Sequence, residues 1–142
     1  MTVQTTLGEI TIIIIGDINM CLELRTGLKN IRFTFKRIEC YKGLVQETYD
    51  IGAKYRTPCQ GTKITIGKTY FSRLVKCCGS IENGLHSIEK IDDARTVIRR
   101  YFNDDTVLVK CYIPRFSFYY VGDYCGYNSY ASSALKYVEI VD

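Results

Sequence analysis

Histidine occurs once in this sequence, at His86, and proline twice, at Pro58 and Pro114. One imidazole leaves little room for acid–base work. No Ser or Cys nucleophile with a base and a third orienting group assembles around it. The expected role of His86 is a hydrogen-bonded structural one, with ligand contact as the alternative. Metal-ligand spacing is also missing. A zinc site needs paired ligands such as C-x2-C, and the only close cysteine pair is Cys77-Cys78. Adjacent strand residues point to opposite faces and chelate one ion poorly. Neither metal nor cofactor is expected. The phosphate-cradling G-x-x-x-x-G-K-T pattern fails at Gly67-Lys68-Thr69, because Thr62 stands where the first glycine belongs. No apolar run approaches the ~20 residues that span a bilayer. The longest, Ile12-Ile13-Ile14-Ile15, is strand-sized. The start of the sequence lacks a basic segment followed by a long apolar one, so no signal peptide is expected. Repeats, low-complexity tracts and a dividing linker are absent as well. One domain over residues 1–142 is therefore expected, with residues 1–37 as an added N-terminal hairpin.

What is present fits a folded chain. Hydrophobic residues make up 46% and charged residues 24%, which argues against disorder. The net charge of +4 is uneven. Residues 1–71 hold ten Lys/Arg against six Asp/Glu, and residues 72–142 hold nine of each. This mild basic bias reads first as a solvated face and second as an anion-binding patch. The seven cysteines are odd in number, and several fall inside apolar strand patterns. Free thiols in a reducing cytoplasm are expected. Cys77-Cys78 follows Lys76, and a thiolate there would be activated only if it met a helix N-terminus.

Periodicity gives a coarse element order. Residues 1–7 read as a loose end or an edge, and residues 9–15 as a strand buried near its centre. Gly16-Asp17 signals a turn. Residues 19–25 alternate as a strand pairing back on the first. A helix over 18–28 competes, because Leu, Met and Glu favour helices. Residues 26–30 read as a loop. Residues 31–37 form the cleanest amphipathic strand, with Ile31, Phe33 and Phe35 opposed to Arg32, Thr34 and Lys36. Residues 38–41 continue it or begin another strand, and Lys42-Gly43 ends it. Residues 44–61 show no period and read as an ordered loop, of a length that often carries function. Residues 62–66, 70–75 and 84–88 read as strands, and residues 77–83 as turn-rich. The one convincing helix covers residues 91–102, with Ile91, Ala94, Ile98 and Tyr101 in its apolar stripe. Asp92 and Asp93 open it and Arg99 and Arg100 close it, matching the helix dipole. Residues 106–113 form a strong strand, 116–121 an aromatic one, 122–129 a loop and 135–141 a last strand facing Leu135, Tyr137 and Glu139 one way. The expected fold is α+β, a mainly antiparallel sheet with one principal helix packed on it.

The second half also carries a motif order. G-L-H-S at 84–87, D-D-A-R at 92–95, V-K-C-Y-I-P at 109–114, Y-Y-V-G at 119–122 and Y-A-S-S-A-L-K-Y-V-E-I at 130–140 follow one another. This order resembles that of small uncharacterised proteins carried by bacteriophages and prophages. Y-R-T-P-C-Q at 55–60 and I-G-K-T-Y at 66–70 are similar to the same group. The resemblance covers about residues 38–142. It implies a viral origin and a place in the host bacterial cytoplasm, and it brings no catalytic residues with it. The segment G-L-H-S-I-E-K-I-D-D-A-R separately resembles the strand and helix of ADP-ribosyltransferases. That likeness implies a stacking aromatic, Tyr119 or Tyr120, and a glutamate, Glu139, although no H-Y-E or R-S-E set is readable.

Tyrosine is densest between Tyr112 and Tyr137. Tyr119, Tyr120, Tyr124, Tyr127 and Tyr130 each offer a flat apolar face and a polar tip, suited to stacking or to a partner's pocket. Arg56 and Arg115 would supply anion contacts. Core packing is the competing role for the tyrosines. The expected function is that of a non-enzymatic viral accessory protein, in host takeover or anti-defence, binding a host protein or a small nucleotide-like ligand. An ADP-ribosyltransferase-like enzyme and a virion decoration protein are the alternatives. Neither a membrane nor nucleic acid is the expected partner, and a homo-oligomer is left open. Small-ligand capture predicts a tyrosine and arginine pocket. Protein binding predicts an exposed aromatic patch.

Overall fold

Antiparallel pairing organises the chain. The computed structural model describes residues 2–7, 10–15, 22–23, 31–49, 52–58, 61–77 and 80–141. In chain order the elements are β1 (Thr2–Leu7), β2 (Ile10–Ile15), β3 (Leu22–Glu23), β4 (Arg32–Phe33), β5 (Ile38–Tyr49), β6 (Gly52–Arg56), β7 (Lys63–Ile64) and β8 (Thr69–Phe71). Then come β9 (Val75–Cys77), β10 (Ser80–Asn83), β11 (Leu85–Ile88), α1 (Ile91–Tyr101), β12 (Thr106–Ile113), β13 (Phe118–Tyr124), β14 (Tyr127–Ser132) and β15 (Ala134–Ile140). The sheet runs β1-β2-β8-β15-β12-β5-β11-β14-β13-β3-β10-β9, with β4, β6 and β7 branching from it. Its pairs are antiparallel except β2 with β8. The chain is mostly antiparallel sheet with a single helix among the described residues, as in α+β or mainly-β folds, and it closes no barrel there. No described helix is long and apolar enough to cross a membrane.

The centre is β12 between β5 and β15. β12 is apolar on both sides, and the two sides serve different cores. Val109, Cys111 and Ile113 join Cys40 and Leu44 of β5 with Leu135 and Tyr137 of β15. Leu108 faces the other way and packs with Ile88 under Ala94 and Val97 of α1. A third, smaller cluster holds Ile81, Tyr120 and Ala131. The helix begins after Lys90, which makes no side-chain cap, and its terminal Asp and Arg residues oppose the dipole charges as expected. Its stripe differs from the expected one. Val97 is buried, whereas Tyr101 is 54% exposed. Phe102, just past the helix, packs against the cluster instead.

Several boundaries need correction. β5 does not end at Lys42-Gly43 but continues to Tyr49. Glycine is used there for proximity. A Cβ on Gly43 would lie 3.0 Å from side-chain carbons of both Ile98 and Thr106, so the missing side chain lets α1 close over the strand. Much of the expected 44–61 loop is therefore strand, because β5 turns back into β6 from Val45↔Arg56 to Tyr49↔Gly52. The expected 122–129 loop is a hairpin. Cys125 and Gly126 have φ of 53° and 88°, and two positive φ values in a two-residue turn suit the twist of the strands they join. β3 pairs with β10 and β13 rather than with the first strands. The two sides of β2 are taken by β1 and β8. On β15 the ladder steps from Lys110↔Glu139 to Cys111↔Tyr137, so Val138 bulges and Glu139 turns outward while Leu135 and Tyr137 stay buried. The 16–17 turn, the 26–30 loop and most of the 19–25 strand and of the competing 18–28 helix lie outside the described residues.

The largest correction concerns residues 31–37. Only Arg32–Phe33 is strand, and the apolar side of the alternation, Ile31, Phe33 and Phe35, faces solvent.

Candidate functional site

The structure distributes the expected site residues over several places. Tyr119 and Tyr130 meet edge to face, with ring centres 5.9 Å apart, against the main core. Burial, then the charge of Glu89, pushes the Tyr130 hydroxyl up to about 12. Tyr120 lies with Ile81 and Ala131, and Tyr124 and Tyr127 pack in the helix-side cluster. Arg56 is held on β6, its Nε 3.1 Å from Glu47 Oε2 and its Nη1 donating to the Gly61 carbonyl at 3.0 Å. Arg115 is exposed, with its guanidinium 5.2 Å from the centre of the Phe116 ring. Of these residues, Tyr124 and His86 line one cavity.

That cavity opens where the sheet splays. β11 pairs with β14 from Leu85↔Ser132 to Ile88↔Ser129, but meets β5 only at Ile88↔Tyr41. The gap holds about 20 Å³, walled by Pro58, Val97, Phe102 and Tyr124. A water molecule fits such a space, but a nucleotide does not. His86 is 4% exposed, and neither ring nitrogen has a hydrogen-bond partner within the protein. Burial first, and the nearby Lys42 charge second, lower its pKa to about 3, with the Gly84 backbone acting the other way. The imidazole is therefore neutral at physiological pH and too weak a base for proton transfer there.

The thiols nearby are equally quiet. Cys40 and Cys111 face each other across β5 and β12. Burial pushes Cys40 up to about 12 and Cys111 well above the ordinary range. Thiols so placed are poor nucleophiles and poor metal ligands. Cys125 is exposed in its turn, and the side chains of Cys77 and Cys78 lie outside the described residues. Among the described residues, no three His, Cys, Asp or Glu side chains gather as a metal site. A broader open groove of about 470 Å³ runs beside Lys54, Tyr55, Lys63 and Ile64, and none of the expected site residues lines it.

The feature that sequence reasoning missed is an exposed aromatic corner. β4 pairs with the start of β13 as Phe33↔Phe118 and Arg32↔Tyr119. The ribbon continues through Thr34 N–H donating to the Ser117 carbonyl at 3.0 Å and Phe116 N–H donating to the Thr34 carbonyl at 2.6 Å. Thr34 and Ser117 are buried between the two strands' outer residues. The Thr34 hydroxyl donates to the Lys36 carbonyl and accepts the Lys36 N–H, which fixes the bend. Phe116 adopts φ 65°, unusual for an aromatic residue. The result reverses the alternation, with the small hydroxyl residues inside and the phenylalanines outside.

Four rings form one contact surface. Phe33 lies 5.2 Å from Phe35, 6.3 Å from Phe116 and 5.0 Å from Phe118, and Phe35 lies 6.5 Å from Phe116. All four are exposed, Phe35 by 74% and Phe116 by 59%. The flanking residues are basic. Residues 31–37 and 114–119 contain Arg32, Lys36, Arg37 and Arg115 and no Asp or Glu. Arg37 is steadied 5.3 Å above the Tyr112 ring. A sequence signal for this corner exists. Arg32-Phe33-Thr34-Phe35 and Arg115-Phe116-Ser117-Phe118 are the same tetrad, Arg-Phe-hydroxyl-Phe, and the two lie antiparallel against each other. Comparison with family models, with curated proteins and with solved structures finds no match to this chain.

Proposed function

We propose that this chain is a non-enzymatic accessory protein, of the bacteriophage kind its motif order implies, that binds a host protein through the corner at residues 32–36 and 115–118. One observation carries the reading. Four phenylalanines joined by ring contacts around Phe33 stand in solvent as one apolar patch, and a partner that covers it gains the free energy of burying that surface. Aromatic and arginine side chains are also the residue types that dominate binding energy at protein interfaces. The neutral His86, the inert Cys40 and Cys111 and the water-sized cavity beside His86 offer no catalytic centre to compete with this surface.

The test is a paired capture experiment from bacterial cytoplasm with the wild-type chain and a Phe35→Ser/Phe116→Ser variant. The captured host protein is then purified and titrated by calorimetry against both. Binding by the wild type and its loss in a variant of unchanged unfolding midpoint is the expected result. Equal binding by a folded variant would refute the reading.

A further inference from the structure

We infer that the corner takes an acidic segment of its partner, one with apolar side chains flanked on both sides by Asp or Glu. The inference rests on the protein-binding reading above and names the chemistry of the partner. Its basis is the order of groups along the two-stranded ribbon. The ladder sets Arg32 opposite Tyr119, then Phe33 opposite Phe118. Thr34 then meets two residues at once, its N–H donating to the Ser117 carbonyl and its carbonyl accepting from the Phe116 N–H, so the second strand bulges at Phe116, which holds φ 65°. Phe35 and Lys36 follow Thr34 at the end of the ribbon where Arg115 precedes Phe116. Cationic groups thus stand at both ends of an aromatic middle. A partner segment with an acidic residue on each side of its apolar ones matches that order of groups.

Other occupants fit less well. A second copy would bring Arg32, Lys36, Arg37 and Arg115 against their own equivalents, and like charges across an interface are repulsive. Stacking on bases needs free ring faces. Here Phe35 stands at 80° to Phe33 and 89° to Phe116, so these rings do not form the parallel platform on which successive bases stack. An anionic bilayer shares the acidic and apolar chemistry, but it is fluid and gains nothing from a ribbon fixed by backbone bonds. A folded or extended protein segment gains from such preorganisation.

The experiment uses two labelled peptides, Glu-Glu-Phe-Leu-Phe-Glu-Glu and its Lys-flanked counterpart, read by fluorescence anisotropy with the full chain. Phosphatidylcholine vesicles with and without phosphatidylserine, an oligothymidylate and sedimentation of the chain alone complete the set. The Glu-flanked peptide should bind at least 10-fold more tightly than the Lys-flanked one, and more weakly as salt rises. An Arg32→Glu/Arg115→Glu variant should reverse that preference, and Phe35→Ser/Phe116→Ser should lose both peptides. Equal binding of the two peptides, no binding of either, or binding of phosphatidylserine vesicles, oligothymidylate or a second copy in place of the Glu-flanked peptide would overturn the inference. The two levels separate cleanly. A host protein lost by the phenylalanine variant but indifferent to the charge-reversed one leaves the protein-binding reading standing and removes this one.

Discussion

The interior around His86 and the corner around Phe35 depart from ordinary partition in opposite senses. At His86 a polar ring is sealed inside with neither nitrogen bonded to protein. At Phe35 an apolar ring is held outside, among three others. The first arrangement burdens the folded state and does so as a function of pH. The second leaves the folded state nearly indifferent and waits on a second molecule. Substitutions in the two regions should therefore report on different quantities, stability in one and association in the other.

The largest expected effect is on binding. Removing two aromatic anchors from the corner should weaken a partner by roughly 2 kcal/mol or more for each, about 30-fold apiece. Chemical denaturation of the same Phe35→Ser/Phe116→Ser variant should differ from wild type by no more than about 0.5 kcal/mol, as for other surface changes. A loss of several kcal/mol in folding stability would make the corner part of the core and dissolve the contrast.

Next comes the pH dependence of the interior. The unfolded chain protonates His86 near 6.5, and the folded chain only near 3. Above 6.5 neither state holds the proton and nothing is lost. As pH falls from 6.5 toward 3 the unfolded state gains the proton first, so stability drops by about 1.4 kcal/mol per pH unit from this group. His86→Leu, of similar volume, removes that penalty. Relative to wild type, the variant should gain roughly 2–3 kcal/mol between pH 7.5 and pH 4.5 in urea unfolding. A gap that stays constant with pH would mean that the folded protein protonates His86 as readily as the unfolded chain.

Smaller effects test the scaffold that separates the two regions. Gly43→Ala should cost about 1–2 kcal/mol, because its new carbon meets Ile98 and Thr106 at 3.0 Å. A neutral outcome by thermal unfolding would show that α1 lies less closely on β5. Cys125→Asn should stabilise by roughly 0.5 kcal/mol, since asparagine accepts the left-handed conformation that the first turn residue holds. No gain would count against the tight turn between β13 and β14.

How far the sequence reveals this molecule depends on what each pattern can encode. Residues 106–113 alternate, and their strand lies where expected, because strands pair along both of its edges and a core lies on each of its faces. Residues 31–37 alternate just as cleanly, yet only two of them pair in β4, at a corner of the sheet. Alternation marks two faces but does not say which is inside. That choice belongs to distant residues, here Ser117 just before β13, whose carbonyl accepts the Thr34 N–H and beside which Thr34 is buried. The helix was legible because its period and its charged ends are local. β5 ran past Lys42-Gly43 because the reason for that glycine, the approach of Ile98, is some fifty residues away. Chemistry alone singles out the five tyrosines, and their separation into three clusters follows from pairings that no local pattern shows. The twin Arg-Phe-hydroxyl-Phe tetrads were visible, but a four-residue match gains meaning only when the chain brings its two copies together.

Hydroxyl-radical footprinting, read residue by residue by mass spectrometry, tests the exposed corner most directly. Tyr137 and Tyr70, both in the main core, serve as buried references. Phe35 and Phe116 should be oxidised far faster than these tyrosines in the free protein, and should slow once a partner is bound. Labelling of Phe35 and Phe116 as slow as that of Tyr137 in the free chain would show that the corner is already covered, and would contradict its role as a binding surface.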